Sequence, residues 1–236
     1  MILATPSSVA VVVKQATTRA SIVFVTGSDP TEIGLVESVA RPGGRLTGVH
    51  TVTGELFAKH LQLLREFAPM LRRAGTFYNP ANPSALRSIR AGREAARRVG
   101  VTLVEWQVKS STELRAALPK LKRPDVDGYV FTADAMVTSH TEMIVEAATA
   151  QRLPAITIYR EAVVGGALAS FGAPFKEIGR MTAKPLQRIL AGVRPGDIPV
   201  ETFDRIVLVV NAKTAKRLGL TIPNSIMQRA SEIIES

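Results

Sequence analysis

The residues of this chain best placed for chemistry are those at the ends of its apolar runs. Thr26, Gly27, Ser28 and Asp29 close and follow the run Ile22–Thr26, and Tyr78, Asn79 and Asn82 close and follow Gly75–Tyr78. Asp134 follows Gly128–Thr132, Tyr159 and Arg160 follow Ala155–Ile158, and Phe171 ends Leu168–Phe171. Ligands of open α/β sheets gather at the carboxyl ends of the strands, so these are the expected ligand-binding residues. Their chemistry is capture: short polar groups and a few rings suit a pocket with convergent polar contacts on aromatic walls. A helix expected to begin near Thr31 would offer backbone N–H groups beside Ser28 and Asp29, which favours a carboxylate. The planar fork of Arg160 could clamp the same group. Asp29 or Asp134 could take an ammonium, and Tyr78, Tyr159 and Phe171 could stack on a flat apolar moiety. Each residue also has a plainer role open to it. Ser28, Asp29 and Asp134 could cap helices, and Asn79 and Asn82 could shape turns beside Pro80 and Pro83. Tyr159 and Phe171 could be packing, and Arg160 a surface ion-pair partner.

Bond-making chemistry finds no such support. His50, His60 and His140 lie far apart in sequence, and none has metal-ligand spacing. No Gly-x-Ser-x-Gly elbow and no phosphate loop occurs. The reading is therefore a non-enzyme without cofactor or metal. The chain has no cysteine, which fits an oxidising compartment without requiring one.

The elements that must position these residues alternate between strand and helix signals. Further strand candidates are Leu46–Thr51 and Thr102–Trp106, and Met1–Val13 reads as a strand running into a helix. Continuous apolar runs such as Ile22-Val-Phe-Val suit parallel strands covered on both faces. Ser84 is the expected cap of a helix through Arg98, Ser111 of the next, and Thr53 of a helix through Phe67. A helix over 175–190 contains Pro185, which predicts a kink near Thr182. The architecture is doubly wound α/β. A net charge of +10 raises nucleic acid as a partner. Yet Arg87, Arg90, Arg93, Arg97 and Arg98 share one helix with an apolar stripe of Leu86, Ile89, Ala96 and Val99, which describes a basic surface helix. No nucleic-acid-binding motif accompanies it, so no nucleic-acid partner is expected. Two glycine-rich segments, 41–49 and 165–172, suit a chain that crosses between lobes.

The segments Ile22-Val-Phe-Val-Thr-Gly-Ser-Asp-Pro-Thr, Arg41-Pro-Gly-Gly-Arg-Leu-Thr-Gly-Val and Tyr78-Asn-Pro-Ala-Asn-Pro resemble the ABC-transporter substrate-binding family of tryptophan and tyrosine type. So do Gly166-Ala-Leu-Ala-Ser-Phe-Gly, Val210-Asn-Ala-Lys-Thr-Ala-Lys-Arg-Leu-Gly-Leu and Ile222-Pro-Asn-Ser. The resemblance implies a two-lobed type I periplasmic-binding-protein fold with doubly wound parallel sheets and three crossovers. The first lobe would hold 1–48 and 170–192, the second 49–169 and 193–236. It also implies a first lobe that is incomplete, lacking the opening βα units and export signal through gene truncation, a late start codon or fragmentation. The implied function is capture of a small organic ligand, an amino acid or aromatic carboxylate, between the lobes for a membrane permease. The implied compartment is the periplasm, or the cytoplasm for the chain as written. An exposed sheet edge in the first lobe predicts self-association. A ligand-sensing regulatory domain of the same fold, or a non-functional remnant, is the alternative.

Overall fold

The computed structural model describes residues 1–51 and 56–235, so the expected cap at Thr53 lies outside the described residues. The chain opens with β1 (Ile2–Ala4), α1 (Ser7–Ala16), β2 (Ile22–Thr26) and β3 (Leu46–Thr51). There follow α2 (Leu56–Phe67), β4 (Arg73–Tyr78), α3 (Pro83–Arg98), β5 (Thr102–Gln107), α4 (Ser111–Ala117), β6 (Gly128–Val130) and α5 (Ala135–Thr138). Next come α6 (Thr141–Ala150), β7 (Ala155–Thr157), α7 (Arg160–Val164), β8 (Ala169–Gly172) and α8 (Phe175–Leu190). The last elements are β9 (Glu201–Phe203), β10 (Val207–Asn211), α9 (Ala212–Leu218), α10 (Asn224–Arg229) and β11 (Glu232–Ile234).

These elements form two compact units. Unit 1 is Met1–Gly54 with Ala173–Ile206, and unit 2 is Glu55–Gly172 with Val207–Ser236. The division therefore differs from the sequence-based one at every boundary, and strand pairing is the reason. β9 pairs in parallel with β3, Val49 opposite Glu201, and the Thr47 hydroxyl donates to Ile198 O at 2.8 Å, which ties 193–206 to unit 1. β8 pairs with β7 and β10, which keeps Ser170 and Phe171 in unit 2. The glycine-rich segments contain turns, with φ of +70°, +57° and +117° at Gly43, Gly44 and Gly166, and 165–172 runs on to the passage between units after Gly172.

The sheet of unit 1 runs β1-β2-β3-β9, entirely parallel. Ala4, Ala10, Ile22, Phe24, Leu35 and Leu46 pack in one core, and Val49, Ile178 and Phe203 in another. The approach of β2 to β3 is close at Gly48, where a Cβ would lie 2.1 Å from the Phe24 carbonyl oxygen.

The sheet of unit 2 runs β11-β10-β8-β7-β6-β4-β5, parallel except between β8 and β10. Successive residues feed opposite cores: Tyr78 and Val130 pack with Leu61 and Leu64 of α2, whereas Phe77 and Tyr129 pack with Leu114 and Ile144. Burial on both faces is why these strands read as continuous apolar runs. Helix starts shift by a residue or two from expectation. Asn82, whose carboxamide accepts from Ser84 N at 3.0 Å, caps α3 with Pro83 at its first position. Ser110 rather than Ser111 caps α4, accepting from Glu113 N at 3.2 Å. α8 continues through Pro185 to Leu190.

Candidate functional site

In unit 1, the carboxyl ends of β1 and β2 meet at a hydroxyl cluster. Thr26 is buried, and its hydroxyl donates to Ser28 O at 2.9 Å and accepts from Ser28 N at 3.0 Å. Its single proton is thereby used, so the 2.5 Å contact with Ser7 places Ser7 Oγ as donor to Thr26. Thr51 at the end of β3 donates to Thr26 O at 3.3 Å. Three strand ends are thus tied to one loop that presents Gly27, Ser28 and Asp29.

Asp29 uses one carboxylate oxygen to accept from Thr31 N at 2.8 Å, Thr31 Oγ1 at 2.5 Å and Glu32 N at 3.2 Å. These bonds from Thr31 and Glu32, with a smaller electrostatic contribution from His50, hold the carboxyl below its usual range. Asp29 is therefore an anion committed largely to its own turn. That turn replaces the helix expected near Thr31: Gly34 at φ +68° follows within one turn, and Leu35 N returns to Pro30 O at 2.8 Å. The helix N-terminus at this end of unit 1 is instead that of α1, whose cap position, Pro6, supplies no side-chain hydrogen bond. Ser7 and Ser8 stand at its first positions, beside the Thr26 loop. Both follow the first apolar run and were legible as strand-end polar residues. The strand running into a helix expected over Met1–Val13 is thus present as β1 and α1.

In unit 2, Asp134 is the organising residue. It is buried, and one oxygen accepts from Met136 N at 3.0 Å and Val137 N at 3.1 Å, capping α5. The other accepts from Asn79 N at 2.9 Å, tying the ends of β4 and β6 together. All three of these bonds come from backbone N–H donors, which suits a positioning group and leaves little for a ligand ammonium. Asn79 Oδ1 accepts from Ala81 N at 2.9 Å, so Asn79 and Asn82 shape the turn into α3 while remaining partly exposed. Tyr78 is a core residue, 2% exposed, and Gln107 Nε2 donates to its hydroxyl at 3.1 Å. Its ring therefore offers no open face, which corrects the stacking role expected of it.

Tyr159 and Phe171 are both partly buried. Tyr159 lines a hollow of about 370 Å3 with Thr138, Glu142, Glu146 and Glu161. Burial pushes its hydroxyl above the usual range, with Thr138 as a hydrogen-bond partner and Glu161 adding to the rise. The three glutamates disfavour a carboxylate in that hollow. Phe171 meets His60 edge to face, centroids 6.4 Å apart, and its carbonyl accepts from His60 Nε2 at 2.6 Å. Arg160 donates through two nitrogens to Glu232, at 2.7 and 2.5 Å. Each group stabilises the charge of the other, raising Arg160 and lowering Glu232. The expected clamp is thus engaged at the surface by a neighbour on β11. Among the described residues no group of three or more His, Cys, Asp or Glu could hold a metal ion. No described helix is long and apolar enough to cross a membrane.

Comparison with known proteins adds relatives to this geometry. The family described as ABC transporter substrate binding protein matches residues 1–234. A tyrosine-binding protein of Clostridioides difficile is 27% identical over 218 residues, covering 92% of this chain and 62% of the relative. The chain thus spans about three fifths of that protein's length. The ABC domain of Streptococcus pneumoniae in complex with L-Trp superposes with a TM-score of 0.83 at 24% identity, covering 99% of this chain and 80% of that one. A conserved domain protein from Vibrio cholerae gives 0.82 at 28% identity, covering 98% and 77%.

Proposed function

Because this chain belongs to the ABC transporter substrate-binding protein family, we propose that it captures an aromatic amino acid or a similar aromatic carboxylate for transfer to a membrane permease outside the cytoplasm. The observation that carries the ligand class is the separation of chemistry between its strand ends. Unit 1 presents hydroxyls, backbone N–H groups and the uncapped start of α1, which favour a carboxylate. Unit 2 presents two partly buried aromatic residues at strand ends, Phe171 and Tyr159, the latter lining an acidic hollow, which favours an aromatic group and an ammonium. In this reading Thr26, Gly27, Ser28, Asn79, Asn82, Tyr159 and Phe171 face the ligand. Asp29, Tyr78 and Asp134 hold those residues in place, and Arg160 stays with Glu232. The C. difficile relative named for tyrosine and the S. pneumoniae domain bound to L-Trp support the same ligand class.

Calorimetric titration with L-tyrosine, L-tryptophan, an aromatic acid and a sugar tests this. Binding of an aromatic carboxylate is the expected result, with Tyr159→Ala and Phe171→Ala each weakening it by about two- to tenfold. Arg160→Ala is expected to change affinity by less than about threefold, as for an exposed ion pair. Binding of sugars alone, or ring variants that bind as well as the parent, would sink the proposal.

A separate proposal is self-association through the edge of the unit 1 sheet. β1 is an outer strand of its sheet with Leu3 54% exposed, and an unpaired strand edge favours pairing with a second chain. Light scattering is expected to show a dimer that Leu3→Lys disperses, and a monomer at high concentration would exclude it.

A further inference from the structure

We propose that the pole of unit 2 formed by the amino-terminal ends of β7, β6, β4 and β5 is a docking surface for an anionic lipid bilayer. These four strands are neighbours in that order. Arg152 precedes β7, Lys122 and Arg123 precede β6, Arg72 stands before β4, and Arg97 lies in the last turn of the helix leading to β5. All five are exposed. A basic side chain thus recurs in the segment entering each of the four strands. Hydrogen bonds join the segments into one surface. Thr102 N donates to Arg72 O at 2.7 Å, and the Arg123 guanidinium donates to Arg152 O at 3.5 Å.

The opposing charges at this pole are largely committed elsewhere. Asp127 accepts from the backbone N–H groups of Arg72 and Arg73 at 3.0 and 2.9 Å and pairs with the Arg73 guanidinium at 3.9 Å. Glu94 lies 3.9 Å from Arg98, Glu66 in the last turn of α2 pairs with Arg229 at 2.6 Å, and Asp125 lies two residues from Arg123. A cation in the last turn of a helix complements the helix dipole, which accounts for Arg97. It does not account for Arg72, Lys122 or Arg123, which lie outside the helices.

Arg152 carries a second signal. α6 ends in a Schellman motif: Leu153 N bonds Ala148 O at 2.8 Å and Arg152 N bonds Thr149 O at 3.0 Å. The residue between them must be left-handed, and Arg152 is, at φ +52°. At the ends of α3, α8 and α9 this chain meets the same need with Gly100, Gly192 and Gly219. Among the described residues Arg152 is the one non-glycine with positive φ. A side chain there costs stability that glycine would not, which sets Arg152 apart from the glycine-terminated helices of this chain.

The choice of lipid over another polyanion rests on Met70. It is 79% exposed in the loop between α2 and β4, two residues from Arg72. An apolar side chain amid lysine and arginine suits the headgroup boundary, and the family works beside a membrane transporter. The surface lies at the opposite ends of the same strands from Asn79, Asp134 and Tyr159, so docking leaves those residues open.

Cosedimentation of the full chain with phosphatidylcholine vesicles containing roughly a third phosphatidylglycerol tests the proposal. Binding at low salt is expected, with none to pure phosphatidylcholine and loss in high salt. Arg72→Glu with Lys122→Glu is expected to weaken binding by more than about tenfold, and Met70→Ser by a smaller factor. Arg152→Gly is expected to weaken binding while leaving the melting temperature unchanged or higher. The proposal is overturned if charge reversal leaves vesicle binding intact. It is equally overturned if the chain ignores the vesicles but binds heparin or nucleic acid, which would make the row a site for another polyanion.

Discussion

Acidification from pH 7 to pH 4 is expected to remove about 3 kcal/mol of folding stability through His60 alone. The ring is fully buried on α2, and burial pulls its pKa from 6.5 down to about 4, against a smaller upward pull from its bond to Phe171 O. The unfolded chain takes up a proton as the pH drops below 6.5, while the folded chain does so only near 4. Protonation therefore favours unfolding across that window, so stability falls as the pH falls and the loss is complete below 4. Carboxylates with depressed pKa, Asp29 and Glu232, contribute below that range, because their stabilising charge disappears only as the pH drops under the ordinary carboxylate value. Urea titrations between pH 7 and 4 check this. His60→Gln keeps a donor for Phe171 O but has no ring to titrate, and is expected to show a nearly flat profile between 6.5 and 4.5. An equal slope in parent and variant would assign the acid sensitivity to another group. The bond from His60 reaches the last strand of unit 2 before the chain leaves it, so ligand affinity is a second readout.

Replacing Asp134 by alanine is expected to cost about 2–4 kcal/mol. Loss of the cap on α5 contributes about 1 kcal/mol. Leaving the N–H of Asn79 without its charged acceptor contributes roughly 1–3 kcal/mol more. Asp134→Asn separates the two effects. Its carboxamide oxygen can still accept from Met136 N and Val137 N, but its amide group then faces Asn79 N as donor against donor. The asparagine variant is expected to retain most of the cap and lose the tie between β4 and β6. Its stability should fall between parent and alanine, with ligand affinity reduced nearly as far as in alanine. Chemical denaturation alongside calorimetric titration gives both numbers. An alanine variant within about 0.5 kcal/mol of the parent would show that the carboxylate is not organising these loops.

Alternation of apolar runs and helical stripes was enough to read the α/β class from this chain, because burial of both faces of a parallel sheet leaves few polar positions inside a strand, and those small, such as Thr76 and Ser170. Strand ends were legible for the same reason, and so were the polar residues that follow them: Thr26 to Asp29, Asn79, Asn82, Asp134 and Tyr159 all stand at carboxyl ends in the structure. The fate of each side chain was less legible. Tyr78 and Tyr159 both follow apolar runs, yet one is sealed in the core and the other lines a hollow. That difference depends on whether a neighbouring strand extends past the ring. The helix expected near Thr31 is a closed turn, since Gly34 reverses the chain before a second turn can form. Of the candidate caps in the described residues, those in α3 and α4 were misplaced by only one or two positions, a shift that local side-chain hydrogen bonding decides.

By itself the sequence determined the alternation of strand and helix from β1 to α8, apart from the turn at Thr31, and the residue types at those strand ends, because these follow from periodicity and chain-local stereochemistry. Tertiary structure alone decided the unit boundaries, the burial of His60, the pairing of Arg160 with Glu232 and the row of cations at the far pole of unit 2. All four bring together residues distant in the chain. β9 joins β3 across some 150 residues, and Glu232 reaches Arg160 from 72 residues away. Local propensity carries no information about such partners; they are set by which strands pair and by the loop closures those pairings must offset.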